Sequence, residues 1–248
     1  MKALRLPELA LLAPQVTGFF EDFHGFLTAD DTSHWGVLTD VDGTVLINDA
    51  VNGTVDLRSA VASVGDNEET SIAREGECFL FADDKPFYFE AMVKYSEVST
   101  NTNNLFIGLM DAVAQGTTLV DNGGGVRVAG NHVGFSKLDG ALNWRVELRD
   151  DADADLISKE LDATNSLTTT AKVGASSTFQ RLGIEFAPVT STKANVLWSI
   201  DGIPVYKDTD FTYGSSTEMQ VVVAAMNGNT TLNTITIDYL QCWQLRTI

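Results

Sequence analysis

The feature that most constrains what this chain can fold into is a hairpin written around Asp201-Gly202. Upstream, Val196, Trp198 and Ile200 alternate with polar neighbours; downstream, Ile203, Val205 and Tyr206 resume the apolar run. Alternation with a period of two puts every second side chain on one face of a pleated strand. An Asp-Gly pair between two such runs supplies the left-handed residues that a two-residue turn requires. Residues 179–186 read as a strand before this hairpin, and residues 234–244, TITIDYLQCWQ, as a last strand after it. The end of the chain is therefore β-structure.

The same writing extends upstream. Short alternating or β-branched runs at residues 35–39, 44–47, 69–74, 78–81, 86–95, 104–110, 131–135, 142–149, 167–173 and 219–225 are separated by Gly, Asn, Asp and Ser clusters. That spacing predicts an all-β, two-sheet antiparallel sandwich rather than βαβ units. Only residues 156–161 could make a helical turn. Phe87, Phe89, Ala91, Val93 and Tyr95 share one strand face, as do Leu142, Trp144, Val146 and Leu148, and both sets are expected in the core. Residues 105–110 and 221–225 are apolar on both faces, which predicts strands covered on each side or strands at a subunit contact. A sandwich of this kind commonly runs to 200–250 residues as one unit, so one domain is expected over residues 18–248, preceded by an extended arm over residues 1–17.

Charge and composition narrow the partners. A net charge of −18 with 16 Lys+Arg lacks the positive footprint that nucleic acid demands. No stretch approaches the roughly 20 apolar residues of a membrane-spanning helix. In the arm, Lys2 and Arg5 precede an apolar run that Pro7 and Glu8 interrupt, so an ordinary signal peptide is not expected. Leu4, Leu6, Leu9, Leu11 and Leu12 are too apolar to stay bare; they either pack along their own sandwich or dock on a partner subunit, and they are the candidate partner-contact residues. Cys78 and Cys242 sit in apolar runs and are expected as buried free thiols, with a bridge between them left open.

Several segments carry a family likeness. Residues 79–94 (FLFADDKPFYFEAMVK), 105–111 (LFIGLMD), 180–188 (QRLGIEFAP), 198–205 (WSIDGIPV) and 237–243 (IDYLQCW) resemble successive strands of the concanavalin A-like lectin and glucanase (laminarinase-type) jelly rolls. The resemblance covers about residues 78–243 and implies a jelly-roll sandwich. It implies no activity, because this architecture serves hydrolases, sugar-binding modules and virus-particle proteins alike.

The family's hydrolases set carboxylates along one strand in a Glu-x-Asp-x-(x)-Glu pattern, since retaining hydrolysis of a glycosidic bond uses two carboxyl groups about 5–5.5 Å apart. After residue 111 that pattern is absent: the next segment offers only Asp121, and Glu147 stands between Arg145 and Arg149, which reads as a salt-bridged exposed face. His24, His34 and His132 are scattered singly and are expected at loops or strand ends, without the spacing of a zinc site. The run Asp121-Asn-Gly-Gly-Gly lacks the Lys-Ser/Thr of a phosphate loop and reads as a hairpin loop. Asp151, Asp153 and Asp155 imitate the start of a calcium loop, but Leu156 replaces the turn glycine and Asp162 the bidentate Glu, so an exposed acidic loop is expected and no cofactor.

The expected function is therefore non-enzymatic: a structural protein of a virus particle, such as a bacteriophage capsid decoration protein. It would contact the major capsid protein and other virion subunits, associate as a homo-oligomer, and sit on a virion assembled in the host cytoplasm. The alternative is a carbohydrate-binding, lectin-like adhesion module using aromatics such as Tyr88, Trp144 and Tyr213. A divergent glycoside hydrolase is the remote alternative.

Overall fold

The computed structural model describes residues 16–23, 34–40, 43–48, 53–59, 67–97, 102–111, 113–114, 116–120, 124–127, 129–151, 156–174, 178–214, 216–228 and 232–246. Leu4, Leu6, Leu9, Leu11 and Leu12, His24, Asp121, Asp153 and Asp155 lie outside them. The described strands are β1 (Val16–Glu21), β2 (Trp35–Thr39), β3 (Thr44–Asn48), β4 (Thr54–Arg58), β5 (Glu69–Arg74), β6 (Phe87–Glu97), β7 (Asn103–Met110), β8 (Leu119–Val120) and β9 (Gly125–Val126). They continue with β10 (His132–Lys137), β11 (Arg145–Arg149), β12 (Ile157–Glu160), β13 (Gln180–Thr190), β14 (Lys193–Ile200), β15 (Ile203–Thr212), β16 (Gln220–Asn227) and β17 (Asn233–Leu245). Two antiparallel sheets result. Sheet A has the order β15-β14-β13-β6-β17-β4-β3, with β1 also on β17; sheet B has the order β12-β11-β10-β7-β16-β5-β2. The fold is the two-sheet antiparallel jelly-roll sandwich that the sequence predicts.

The sheets meet through the expected faces. Phe87, Phe89, Ala91, Val93 and Tyr95 of β6 are buried against Leu105, Ile107, Leu109, Val146 and Leu148 of sheet B. Burying a side chain of this size stabilises by about 1.5–3 kcal/mol, so the alternation fixes which face of each strand turns inward. Polar atoms within the core are paired across it: Trp198 Nε1 of β14 donates to the Gly134 carbonyl of β10 (3.1 Å), and Trp144 Nε1 donates to Gln180 Oε1 (2.9 Å). Such bonds lock the angle between the sheets, since an indole N–H buried without a partner would carry a desolvation cost.

The hairpin joins β14 to β15 with φ of 53° at Asp201 and 77° at Gly202, which is the doubly left-handed turn its sequence demands. In β17 the Ile-Asp-Tyr motif does unexpected work. The register against β6 shifts between Ile237 and Tyr239, so Asp238 is the extra residue of a bulge. Ile235 and Ile237 face the core before it, and Leu240, Cys242 and Gln244 after it. A one-residue offset exchanges the two faces of a strand, and the bulge uses that to keep both halves of a 13-residue strand amphipathic.

Other expectations fail for local reasons. Residues 156–161 form strand β12 rather than a helical turn, because Ile157–Glu160 pairs with β11. Residues 167–170 form turns: the Ser166 hydroxyl accepts the Thr168 N–H and the hydroxyls of Thr169 and Thr170 donate to the Thr168 carbonyl, which competes with a ladder, and of residues 171–173 only Val173 makes an isolated bridge. Residues 78–81 contribute only the Phe79–Met219 bridge. Leu142 is exposed, since β11 starts at Arg145 and the preceding backbone bonds to Lys172 and Gly174 instead. Cys242 is buried and Cys78 exposed, both as free thiols. Strand β1 starts at Val16, which pairs with Leu245 of β17.

Candidate functional site

Each sheet has an outward face, and the two differ. On sheet B, residues of β7 and β16 that point away from the sandwich (Phe106, Met110, Val222, Ala224 and Met226) are themselves buried, packed with Ala73, Leu119 and Val126 in a second apolar cluster. Leu119 and Val126 belong to the β8–β9 ribbon, so the chain roofs this half of the face with its own segment. Strands apolar on both faces are thereby explained by cover from the same chain. Glu69 of β5 ties the roof down: its Oε2 accepts the backbone N–H of Thr118 (3.1 Å) and Leu119 (2.9 Å). Burial pushes its carboxyl up to about 7, against the pull of those two donors.

The other half of the same face is polar. Along β10 the outward residues are His132, Gly134 and Ser136, facing Arg149, Glu147 and Arg145 of β11. Glu147 is 2 % exposed, not on an exposed face as its arginine neighbours suggested. Its Oε1 accepts the hydroxyls of Ser136 and Ser158 and lies 3.6 Å from Arg145 Nε. Burial raises its pKa; the hydroxyls and Arg145 hold it down. Arg145 is itself anchored by Ser158, whose carbonyl and hydroxyl accept from Nη2. Arg149 Nη2 reaches Asp151 at 3.3 Å, and Arg127 pairs with Asp111, whose Oδ2 also accepts the Asn131 N–H.

His132 sits beneath these arginines with its ring edge-to-face against Phe106 (6.4 Å, 89°). It is a strand-end residue as expected, but completely buried. Neither ring nitrogen has a close, well-aligned hydrogen-bond partner, and the Gly130 backbone nearby favours the charged ring. Burial, then Arg127 and Arg149, lower its pKa to about 3, so the ring is neutral. No carboxylate stands on β10, so the two-carboxylate arrangement for sugar hydrolysis is not formed by its outward residues. Asp162 is engaged as a turn carboxylate, accepting from Thr164, Asn165 and the Asn165 side chain. His34 lies exposed in a loop, as expected.

The outward face of sheet A carries no such roof among the described residues. Tyr88 and Glu90 of β6 stand beside Trp243, Gln241 and Tyr239 of β17, with Phe20 of β1 next in line. Glu90 is the hub: Oε1 accepts from Tyr239 (2.7 Å) and Gln241 (3.0 Å), Oε2 accepts from Tyr88, and Arg181 lies 3.7 Å away. Trp243 Nε1 donates to Gln241, and Phe20, half exposed, stacks on Tyr239 at 5.6 Å. Of the three aromatic candidates read from the sequence, only Tyr88 belongs here; Trp144 and Tyr213 are core residues. Trp243, Tyr239 and Phe20 were missed. The signal was available, since Tyr239, Gln241 and Trp243 alternate with the apolar Leu240 and Cys242.

No protein-family model matches the chain, and no characterised protein matches it in sequence. Solved structures do share its fold. The Emp47p carbohydrate recognition domain is 11 % identical, with a TM-score of 0.58, over 95 % of this chain and 99 % of that one. An endo-beta-1,4-glucuronan lyase from the fungus Trichoderma reesei is 12 % identical, with a TM-score of 0.61, over 92 % and 95 %. An endo-1,3-beta-glucanase from Streptomyces sioyaensis is 11 % identical, with a TM-score of 0.59, over 94 % and 98 %. The fold is that of the concanavalin A-like lectin and glucanase jelly rolls. At such identities the likeness concerns fold and not chemistry.

Proposed function

We propose that the protein acts by contact rather than catalysis, as a non-enzymatic structural component on the outside of a virus particle. The observation that carries this reading is the occupied face of sheet B. Where an open groove would receive a substrate, the β8–β9 ribbon packs on Phe106, Met110 and Val222, and β10 presents no carboxylate. Surface for assembly exists elsewhere: edge strand β3 exposes Leu46 and Ile47, and Phe20 lies exposed on β1. Exposed apolar residues on a strand at a sheet edge favour pairing with another subunit. Partners of this kind would be the major capsid protein and further copies of this chain. Purified particles of the virus carrying the gene should contain the protein at a fixed ratio to the capsid subunit, read by quantitative mass spectrometry. Particles free of it would overturn the proposal.

A second reading, carbohydrate binding, is favoured by the aromatic face of sheet A. Tyr88, Tyr239, Trp243 and Phe20 surround hydrogen-bonding groups of Glu90, Gln241 and Arg181, a combination that stacks on and grips sugar rings. The fold shared with lectin-type recognition domains supports it. A glycan array probed with the protein and with Trp243→Ala tests it: binding lost in the variant is expected, and a blank array with the unaltered protein counts it out.

A further inference from the structure

We propose that the open face of sheet A holds the interior of an unbranched, uncharged glycan chain, laid across the strands with one sugar per strand. The inference rests on the carbohydrate reading above and adds how the ligand lies and what charge it carries. Ser199 of β14, Gly183 of β13, Glu90 of β6, Gln241 of β17 and Phe20 of β1 are successive cross-strand partners, so they form one row over five neighbouring strands. Neighbouring strands lie about 4.7–4.9 Å apart, which makes the row about 19 Å long. That spacing is close to the length of one pyranose in an extended chain, so the row matches several linked sugars rather than a single one.

The side chains along the row suit that ligand. Glycine at 183 leaves the backbone bare, with Ser199 Oγ 2.6 Å and the Tyr88 hydroxyl 3.7 Å from where a Cβ would stand. The Trp243 ring lies over Gly18 in the same manner, its Cε3 2.5 Å from the position of the missing Cβ. One face of the indole therefore rests on β1 and the other turns outward, and half-exposed Phe20, stacked on Tyr239, extends this aromatic surface. Such faces pack on the apolar sides of sugar rings. The hydrogen-bonding groups are held in place without being saturated. Tyr88 and Tyr239 donate their protons to Glu90 and keep oxygen lone pairs; Gln241 gives one amide N–H to Glu90 and accepts from Trp243, which leaves it one donor and one lone pair. A sugar hydroxyl donates and accepts, so it meets both kinds of group, and side chains fixed beforehand lose little entropy when it binds. Charge selects within the class. Glu90 is paired with Arg181, Glu185 stands in the adjoining row beside Tyr88, and the chain carries −18, which disfavours uronate chains.

The test is titration calorimetry of the whole protein with unbranched gluco-, manno- and xylo-oligosaccharides of one to six units, and with oligogalacturonate. Affinity for the preferred neutral series is expected to rise with length and level off at about four or five units, the span of the row, with oligogalacturonate weaker throughout. Phe20→Ala and Ser199→Ala sit at opposite ends of the row, and each should weaken the hexasaccharide roughly threefold to tenfold. Circular dichroism and melting curves identify a variant that fails to fold, and the length dependence of the unaltered protein then decides alone. A single sugar that binds as tightly as the hexasaccharide, galacturonate chains that bind more tightly than neutral ones, or two folded end variants with unchanged hexasaccharide binding would overturn the proposal and leave carbohydrate binding standing. Absence of binding to every series, together with a blank glycan array, would overturn both.

Discussion

The two outward faces of this sandwich answer one problem in opposite ways. On sheet B the outward residues of β7 and β16 are as apolar as the inward ones, and the chain covers them with its own β8–β9 ribbon. On sheet A the outward residues of β6 and β17 are aromatic and polar, and they satisfy one another through Glu90. An apolar outward face must be buried to be tolerated, whereas a network of paired polar groups and half-exposed rings can remain in water. The roofed face thus contributes to stability, and the open one is available for contact.

The sharpest way to break this contrast is to shrink one aromatic on each face. Phe106→Ala beneath the roof should cost about 3–5 kcal/mol, the price of a cavity that close packing cannot refill. Phe20→Ala on the open face should cost about 1 kcal/mol or less, since half the ring is already in water. Urea unfolding of the two variants measures both. Equal losses would mean that the faces do not differ in this way.

The next largest effect is the pH response of the tether between roof and sheet. Glu69 has a folded pKa of about 7 against an ordinary value of 4.5. Folding therefore favours its protonated form, a contribution fully present below pH 4.5 and lost as pH rises through 7. The loss is on the order of 1–3 kcal/mol. Glu69→Gln keeps a carbonyl oxygen for the Thr118 and Leu119 amides and removes the charge, so it should unfold at higher urea than the unaltered protein near pH 8 and flatten the slope between about pH 5 and 8. A variant with the original slope would show that Glu69 does not titrate in this range.

The sequence made the inward faces legible and the outward ones only in part. β2 and β5 fall on the residues expected, and β6, β7 and β14 come within a few, because period-two alternation with a buried face fixes both register and extent. The cover over β7 and β16 was one of two readings, since the ribbon that supplies it has two-residue strands too short to show periodicity. Glu147 was misplaced for a different reason. Arg-x-Glu-x-Arg looks the same on a solvated face as on one where serines of β10 and β12 close over the carboxylate, and those serines come from residues 136 and 158. His132 likewise gave no sign of burial, because Phe106, 26 positions earlier, supplies its wall.

The smallest effect lies on the open face and reads its network rather than its stability. Burial, then the hydrogen bond to Glu90 and its charge, hold the phenols of Tyr88 and Tyr239 well above their ordinary value. Glu90→Gln keeps an oxygen to accept a hydroxyl while removing the charge, so both phenols should ionise at lower pH, though not fully back to 10, because burial remains. Stability should change by about 1 kcal/mol or less, since Glu90 also faces the partly exposed Arg181 and the pair is screened. Ultraviolet titration of phenolate follows the shift. If two of the five tyrosines move together, Glu90 is the shared hub of the open face; if neither moves, the aromatic residues there are independent neighbours, and the contrast with the tied roof of sheet B loses its electrostatic half.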